Sequence, residues 1–175
     1  QKGFIYLIRA ACKVLETMPN TVFLLAGDGP DRALLESAAA QLRLGEGFRF
    51  LGHVHDMPSL YRAADIVAIP SLWEGMPYVL LEAMYFGKPV VISNVNGMGE
   101  IVPHRTAGLL IEPASVEKLA EAIIELVSSP QLRESCGSAG RRIAADYDAR
   151  KSIEAIEKLY IEGMSKKKAH PAEMA

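Results

Sequence analysis

No apolar run in this sequence approaches the ~18 residues that a membrane-spanning helix needs, and no secretory signal opens it. Cysteine is scarce. Cys12 and Cys136 stand far apart in helix-like sequence, so no disulfide framework exists, and both read as small buried hydrophobes of a reducing, cytoplasmic compartment. Neither sign of charge is in excess: 19 Lys and Arg against 21 Asp and Glu leave a net charge of −2. Without a basic field there is nothing to hold nucleic acid by its phosphates, and nothing indicates association with a membrane. Internal repeats are absent, and no linker divides the chain. The 175 residues therefore read as one ordinary domain. What is present is apolar: 50 % hydrophobic against 23 % charged residues, enough for a core and too much for a disordered chain. The chain opens Gln1-Lys2-Gly3, without a Met and directly before a helical pattern, and so reads as a piece of a longer protein.

Short β-rich runs alternate with longer helical periods. Residues 3–17 place Phe4, Leu7, Ile8, Ala11, Val14 and Leu15 at helical spacing. The apolar run 21–26 stops at Gly27-Asp28-Gly29-Pro30, and a helix follows with Leu34, Leu35, Ala38 and Leu42 on one stripe. A strand at 48–51, a short helix at 57–63 and a strand at 65–69 come next. Residues 78–86 form an apolar helix closed by Gly87, followed by strands at 89–92 and 108–111. Helices near 115–128 (Ser115 as N-cap), 130–145 and 148–164 complete a domain spanning 1–164, with a polar tail at 165–175 that frays. Strands that are apolar on both faces and separated by helices predict an α/β, doubly wound, Rossmann-like parallel sheet covered on both sides. Ligands of such sheets sit beyond the carboxyl ends of the strands, where loops run into helix N-termini.

The most informative stretch is Pro70-Ser71-Leu72-Trp73-Glu74-Gly75-Met76-Pro77-Tyr78-Val79-Leu80-Leu81-Glu82-Ala83-Met84, between a strand and a helix. With Pro77 in the first turn, the backbone N–H groups of Gly75, Met76, Tyr78 and Val79 point outward, at the positive end of the helix. That end suits a phosphate or diphosphate. Glu82 is the one charge in a helix that is otherwise apolar all round, which predicts a buried carboxylate. Side chains lean toward the helix N-terminus, so Glu82 is expected to reach the pocket of Glu74. Two carboxylates beside an anion site suit the hydroxyls of a sugar or ribose. The alternative is a helix-start carboxylate at Glu74 and a structural Glu82.

Other features carry less. Gly27-Asp28-Gly29-Pro30 is a strand-to-helix turn that allows close backbone approach, without the third glycine of the dinucleotide fingerprint. Asn96-Gly97-Met98-Gly99-Glu100 has the same ambiguity. Asp146-Tyr147-Asp148 has the spacing of a metal-bound nucleotide site but lies between two helices. His53 and His55 lack a third ligand nearby, so no metal site closes. Lys166-Lys167-Lys168 is a solvated tail.

Glu74 and Glu82, in the context Pro-Ser-x-x-Glu-Gly-x-Pro-x-x-Leu-Leu-Glu-Ala-Met followed by Gly-Lys-Pro-Val-Val, resemble the retaining glycosyltransferases of the GT-B fold, in particular family four (glycosyl transferases group 1). Lys2-Gly3, Gly27-Asp28-Gly29-Pro30, Leu51-Gly52-His53-Val54, Tyr61-x-x-Ala64-Asp65, Gly97-x-x-Glu100 and Ala107-Gly108-Leu109-Leu110 fall in that family's order, over nearly the whole chain. The resemblance implies a C-terminal domain that binds a nucleotide-diphosphate sugar (UDP, GDP or ADP based) and passes its hexosyl group to a hydroxyl acceptor. It implies that Glu74, the candidate catalytic residue, binds the donor sugar and Glu82 the ribose. Backbone groups from Gly75 through Met76, Pro77 and Tyr78 to Val79 hold the diphosphate, with Lys2 against the same phosphates. Val54, His55 and Asp56 face the nucleobase, and Gly27 and Gly29 line the cleft. No metal and no cofactor beyond the donor is implied.

Two departures accompany the resemblance. The family's phosphate-binding Arg and the first strand of the domain would precede Gln1, so the sheet is expected to carry an open slot. The acceptor-side domain with its catalytic histidine would also precede it, leaving this chain inactive alone and exposing a stripe of Ile153, Ile156, Leu159 and Tyr160. Asn96 stands where many relatives have glycine. Two other readings stay open: a nucleotide-sugar epimerase or hydrolase of the same fold, and a non-catalytic α/β binding module.

Overall fold

Helix α1 (Phe4–Thr17) buries Leu7, Ile8, Ala11 and Val14, the i, i+1, i+4, i+7 stripe of its sequence. In the computed structural model, which describes residues 1–147 together with 150, 153, 156–162 and 164, it is followed by β1 (Phe23–Ala26), α2 (Arg32–Gln41), β2 (Phe48–Gly52), α3 (Met57–Ala63) and β3 (Val67–Ile69). Then come α4 (Tyr78–Tyr85), β4 (Val90–Ser93), α5 (Met98–Ile101), β5 (Gly108–Ile111), α6 (Val116–Ser128) and α7 (Pro130–Ala144). Side-chain caps fix several starts. Ser115 accepts from Lys118 N–H at 3.3 Å, and Ser129 from Leu132 N–H at 3.2 Å with Pro130 in the first turn. The alternation is the expected one, with two local differences. The first run pairs only from Phe23, and the four-residue α5 was not foreseen because its pattern is too short to show a period.

All ladders are parallel, and helices cover both faces. In β4, Val90 and Ile92 join the core beneath α4 and α7, while Val91 joins the core beneath α1 and α6. Every residue of β4 is buried, as a central parallel strand requires. The expected single sheet is, however, divided. β1 pairs only with β2, and β3, β4 and β5 form a second sheet. Between β1 and β3 lies a cavity of about 770 Å³, lined by both strands and by Leu7 and Ile123. This is the open slot that the resemblance implied.

The beginning of the chain is held against the loop after β3. Gly3 takes φ +68°, and a Cβ there would stand 1.9 Å from the Pro70 carbonyl oxygen. Only glycine tolerates both the left-handed backbone and that approach. Leu72 N–H donates to the Gln1 carbonyl at 2.9 Å and completes the attachment. On the other face α7 approaches the end of α4 equally closely: a Cβ on Gly137 would lie 2.1 Å from the Gly87 carbonyl. Arg141 caps α4 by donating to the carbonyls of Tyr85 and Phe86.

Beyond residue 147 the described residues are helical, and Ile153, Ile156, Leu159 and Tyr160 are exposed as expected. Asp148 and the tail 165–175 lie outside the described residues. Among the described residues no helix is long and apolar enough to cross a membrane. Replacing Gly3 by Ala should cost about 3 kcal/mol through the clash with Pro70. Thermal unfolding should register this as a fall in melting temperature of roughly 6–12 °C.

Candidate active site

Strand β3 ends at Ile69, and the next residues turn inward. Ser71 and Glu74 are buried, 2 % and 7 % exposed. A buried carboxylate must be compensated, and this one has two donors, while a third group holds its backbone. Its Oε1 accepts from Ser71 Oγ at 2.8 Å and from the Lys2 ammonium at 2.7 Å. Asn96, from the loop after β4, donates its side-chain amide to the Glu74 backbone carbonyl. Asn96 sits at φ 47°, a left-handed conformation that Asn and Gly accept best. The departure noted at this position therefore preserves the backbone and adds a tether. Lys2 is half exposed, so the ion pair stands at the rim of the site, with a wet side and a dry side.

Helix α4 starts at Tyr78, as predicted, with Pro77 as its N-cap and not inside its first turn. Proline supplies no capping side chain, and the first-turn N–H groups of Tyr78 and Val79 have no intrahelical partner. The helix end that follows Glu74 thus has no side-chain cap.

Glu82 requires a correction. It is exposed, not buried. Although α4 is apolar nearly all round, it buries fully only Leu80, Ala83 and Met84, while Tyr78 and Tyr85 are 80 % and 68 % exposed. A run of apolar residues shows that a helix can be buried, not which faces find a neighbour. The Glu82 carboxylate is nonetheless ordered by a protein group: Tyr61, on α3, donates its hydroxyl to Oε2 at 2.8 Å. Burial first, and the Glu82 acceptor second, push the Tyr61 phenol well above its ordinary pKa. It therefore remains a donor, and its contribution is present below the ordinary phenol pKa and lost only as pH rises through the raised one. Ser71, Asn96 and Tyr61 were given no role from sequence. The available signal was chemical: a buried phenol or hydroxyl must find an acceptor.

The remaining candidates are placed as follows. Gly75 and Met76 are exposed beside Glu74, and Val79 lines the cavity together with Lys2, Ser71 and Glu74. Gly27 and Gly29 form an exposed turn with no atom within 4 Å of an added Cβ at either position. Gly27 N–H donates to the Gly52 carbonyl at 2.7 Å, which ties this turn to the start of the His53–Asp56 loop. Val54 is half buried. Asp56 caps α3 by accepting from Ser59 N–H at 3.1 Å, and its bonds with the Ser59 side chain and backbone hold its carboxyl below the usual range. Its carboxylate is thus already engaged at the helix end. The rings of His53 and His55 meet edge-on, 4.7 Å apart, and among the described residues no three potential ligands gather as a metal site. Cys12 and Cys136 are free thiols, and burial pushes that of Cys136 up. Of the Asp146-Tyr147-Asp148 pair, Asp148 lies outside the described residues.

The arrangement suits a diphosphate ester bearing hydroxyls: an ammonium and helix N–H groups for the anion, with carboxylates beside them as hydroxyl acceptors. The profile of the family described as glycosyl transferases group 1 matches residues 1–143. An uncharacterized glycosyltransferase of Methanocaldococcus jannaschii is 40 % identical over 136 residues, 77 % of this chain and 35 % of that protein. The crystal structure of the C-terminal domain of a glycosyl transferase group 1 family protein (LpcC) from Francisella tularensis superposes with a TM-score of 0.76. It is 29 % identical, covering 83 % of this chain and 78 % of that one. Anabaena HepE, solved in complex with UDP and glucose, gives 0.81 at 29 % identity, covering 94 % of this chain and 45 % of HepE. The chain thus spans about a third of the length of the M. jannaschii protein and somewhat under half of HepE.

Ser71→Ala removes a hydrogen bond to a buried charge and should lower stability by about 1.5–3 kcal/mol. Denaturant unfolding, with an unchanged m-value, checks this.

Proposed function

The chain belongs to the group 1 glycosyl transferases, with the fold of a GT-B C-terminal domain, and on that footing we propose that it binds the nucleotide-diphosphate sugar donor of a retaining hexosyltransferase. The observation that carries the reading is the buried Glu74 carboxylate, paired with Lys2 beside the N-terminus of α4. Glu74 accepts hydroxyls of the donor sugar and orients its anomeric carbon. Glu82 accepts the ribose hydroxyls. The diphosphate lies on the backbone of Gly75 to Val79. An ammonium has three N–H donors, so Lys2 keeps its bond to Glu74 while offering the others to phosphate oxygens. The His53–Asp56 loop faces the nucleobase, through its backbone and Val54 because the Asp56 carboxylate caps α3.

The chemistry follows from where charge develops. As the glycosidic bond to the diphosphate breaks, negative charge grows on the leaving oxygens and the sugar becomes oxocarbenium-like. The helix end and Lys2 are preorganised against the first, and the Glu74 carboxylate lies on the sugar side to stabilise the second. This set does without a divalent cation. The acceptor substrate, whose hydroxyl takes the hexosyl group, binds to an N-terminal domain of the same protein that also supplies the catalytic histidine, and the enzyme works in the cytoplasm. UDP is the first nucleotide to try, since HepE was solved with it.

Thermal unfolding with millimolar UDP, GDP or ADP tests the reading. A nucleotide at ~100 times its dissociation constant stabilises by about 2.7 kcal/mol, a rise of roughly 5–10 °C. One nucleotide should give this rise and Glu82→Gln should reduce it. A cooperative transition that none of the three moves would overturn the assignment.

A further inference from the structure

We propose that Tyr61 is a positioning residue that fixes Glu82 for recognition of a vicinal diol, so that the selectivity of the site for a ribonucleotide over a deoxyribonucleotide depends on a side chain that never touches the ligand. The proposal rests on the donor-site reading of Glu82. Glu82 is exposed on α4, where a free glutamate samples many rotamers. Tyr61 removes that freedom by holding Oε2 at 2.8 Å. Among the described residues Tyr61 is the one hydrogen-bond donor to the Glu82 carboxylate, and with Oε2 held the planar carboxylate restricts where Oε1 can lie. Tyr61 itself is immobile. It is 4 % exposed, and its ring stacks on Phe86, 5.4 Å away and 16° from parallel. Phe86 follows the last residue of α4 and carries the Arg62 guanidinium 5.4 Å from its ring. Two residues of α3, Tyr61 and Arg62, therefore grip the end of α4 that carries Glu82. Since Asp56 caps α3, the same helix connects Glu82 to the His53–Asp56 loop. Ribose and base would thus be read by one rigid unit.

Isothermal titration calorimetry on the protein, with the best-binding of UDP, GDP and ADP and with its 2′-deoxy and 3′-deoxy forms, tests this. Wild type should prefer the ribonucleotide about tenfold. Tyr61→Phe, which keeps the stacked ring and removes only the hydroxyl, should reduce the preference to about twofold. Phe86→Leu, which loosens the ring and keeps the hydroxyl, should lower it about threefold and serves if the first variant does not fold. A merely structural role would weaken all three ligands alike and leave the ratio unchanged. An unchanged ratio, with Glu82→Gln abolishing the preference, overturns the role of Tyr61 and leaves the donor site standing. A wild type without preference removes both.

Discussion

A carboxylate out of water is the constraint around which this end of the molecule is arranged. Glu74 is 7 % exposed, and burying an unpaired charge costs far more than one domain can spare. Its partners come from segments far apart in sequence: Lys2 at the chain's beginning, Ser71 after β3, and Asn96 after β4 for the backbone carbonyl. Lys2 can arrive only because Gly3 lets the backbone pass the Pro70 carbonyl at a distance no side chain permits. Packing between α1 and the loop after β3 is thereby coupled to the electrostatics of the site.

The second carboxylate obeys a different rule. Glu82 is exposed, so water could satisfy it, yet a tyrosine from another helix holds it. Desolvation explains why Glu74 has partners. For Glu82 the partner is explained by the need of Tyr61: a phenol buried against Phe86 has to donate to something. One contact satisfies the core and orders a surface carboxylate.

The fold is held together across a divided sheet. Each half keeps its own parallel pairing, and the two are joined through α1 and α6, which pack on each other and bridge the cores beneath both strand sets. The slot between β1 and β3 ends at Lys2, Ser71 and Glu74, so the cavity and the site are continuous. Parallel strands buried on two faces need cover from helices more than they need a particular neighbour, and the helices supply that cover on both sides of β4.

Alternating β-rich runs and helical periods determined the α/β class, the helix start at Ser115 and the stop at Gly87, because each depends on residues within one turn of chain. The Glu-Gly-x-Pro stretch after a strand likewise determined that an anion-favouring helix end would stand beside a carboxylate. Burial was decided elsewhere. Sequence made Glu82 a core residue from an apolar helix, whereas α4 packs on one side only. Tyr61 and Asn96 gained their roles from atoms 21 and 22 residues away, and Gly3 from a carbonyl across the fold. Periodicity records what a segment is able to bury; which face meets protein, and which hydroxyl meets which carboxylate, is settled only when distant segments pack.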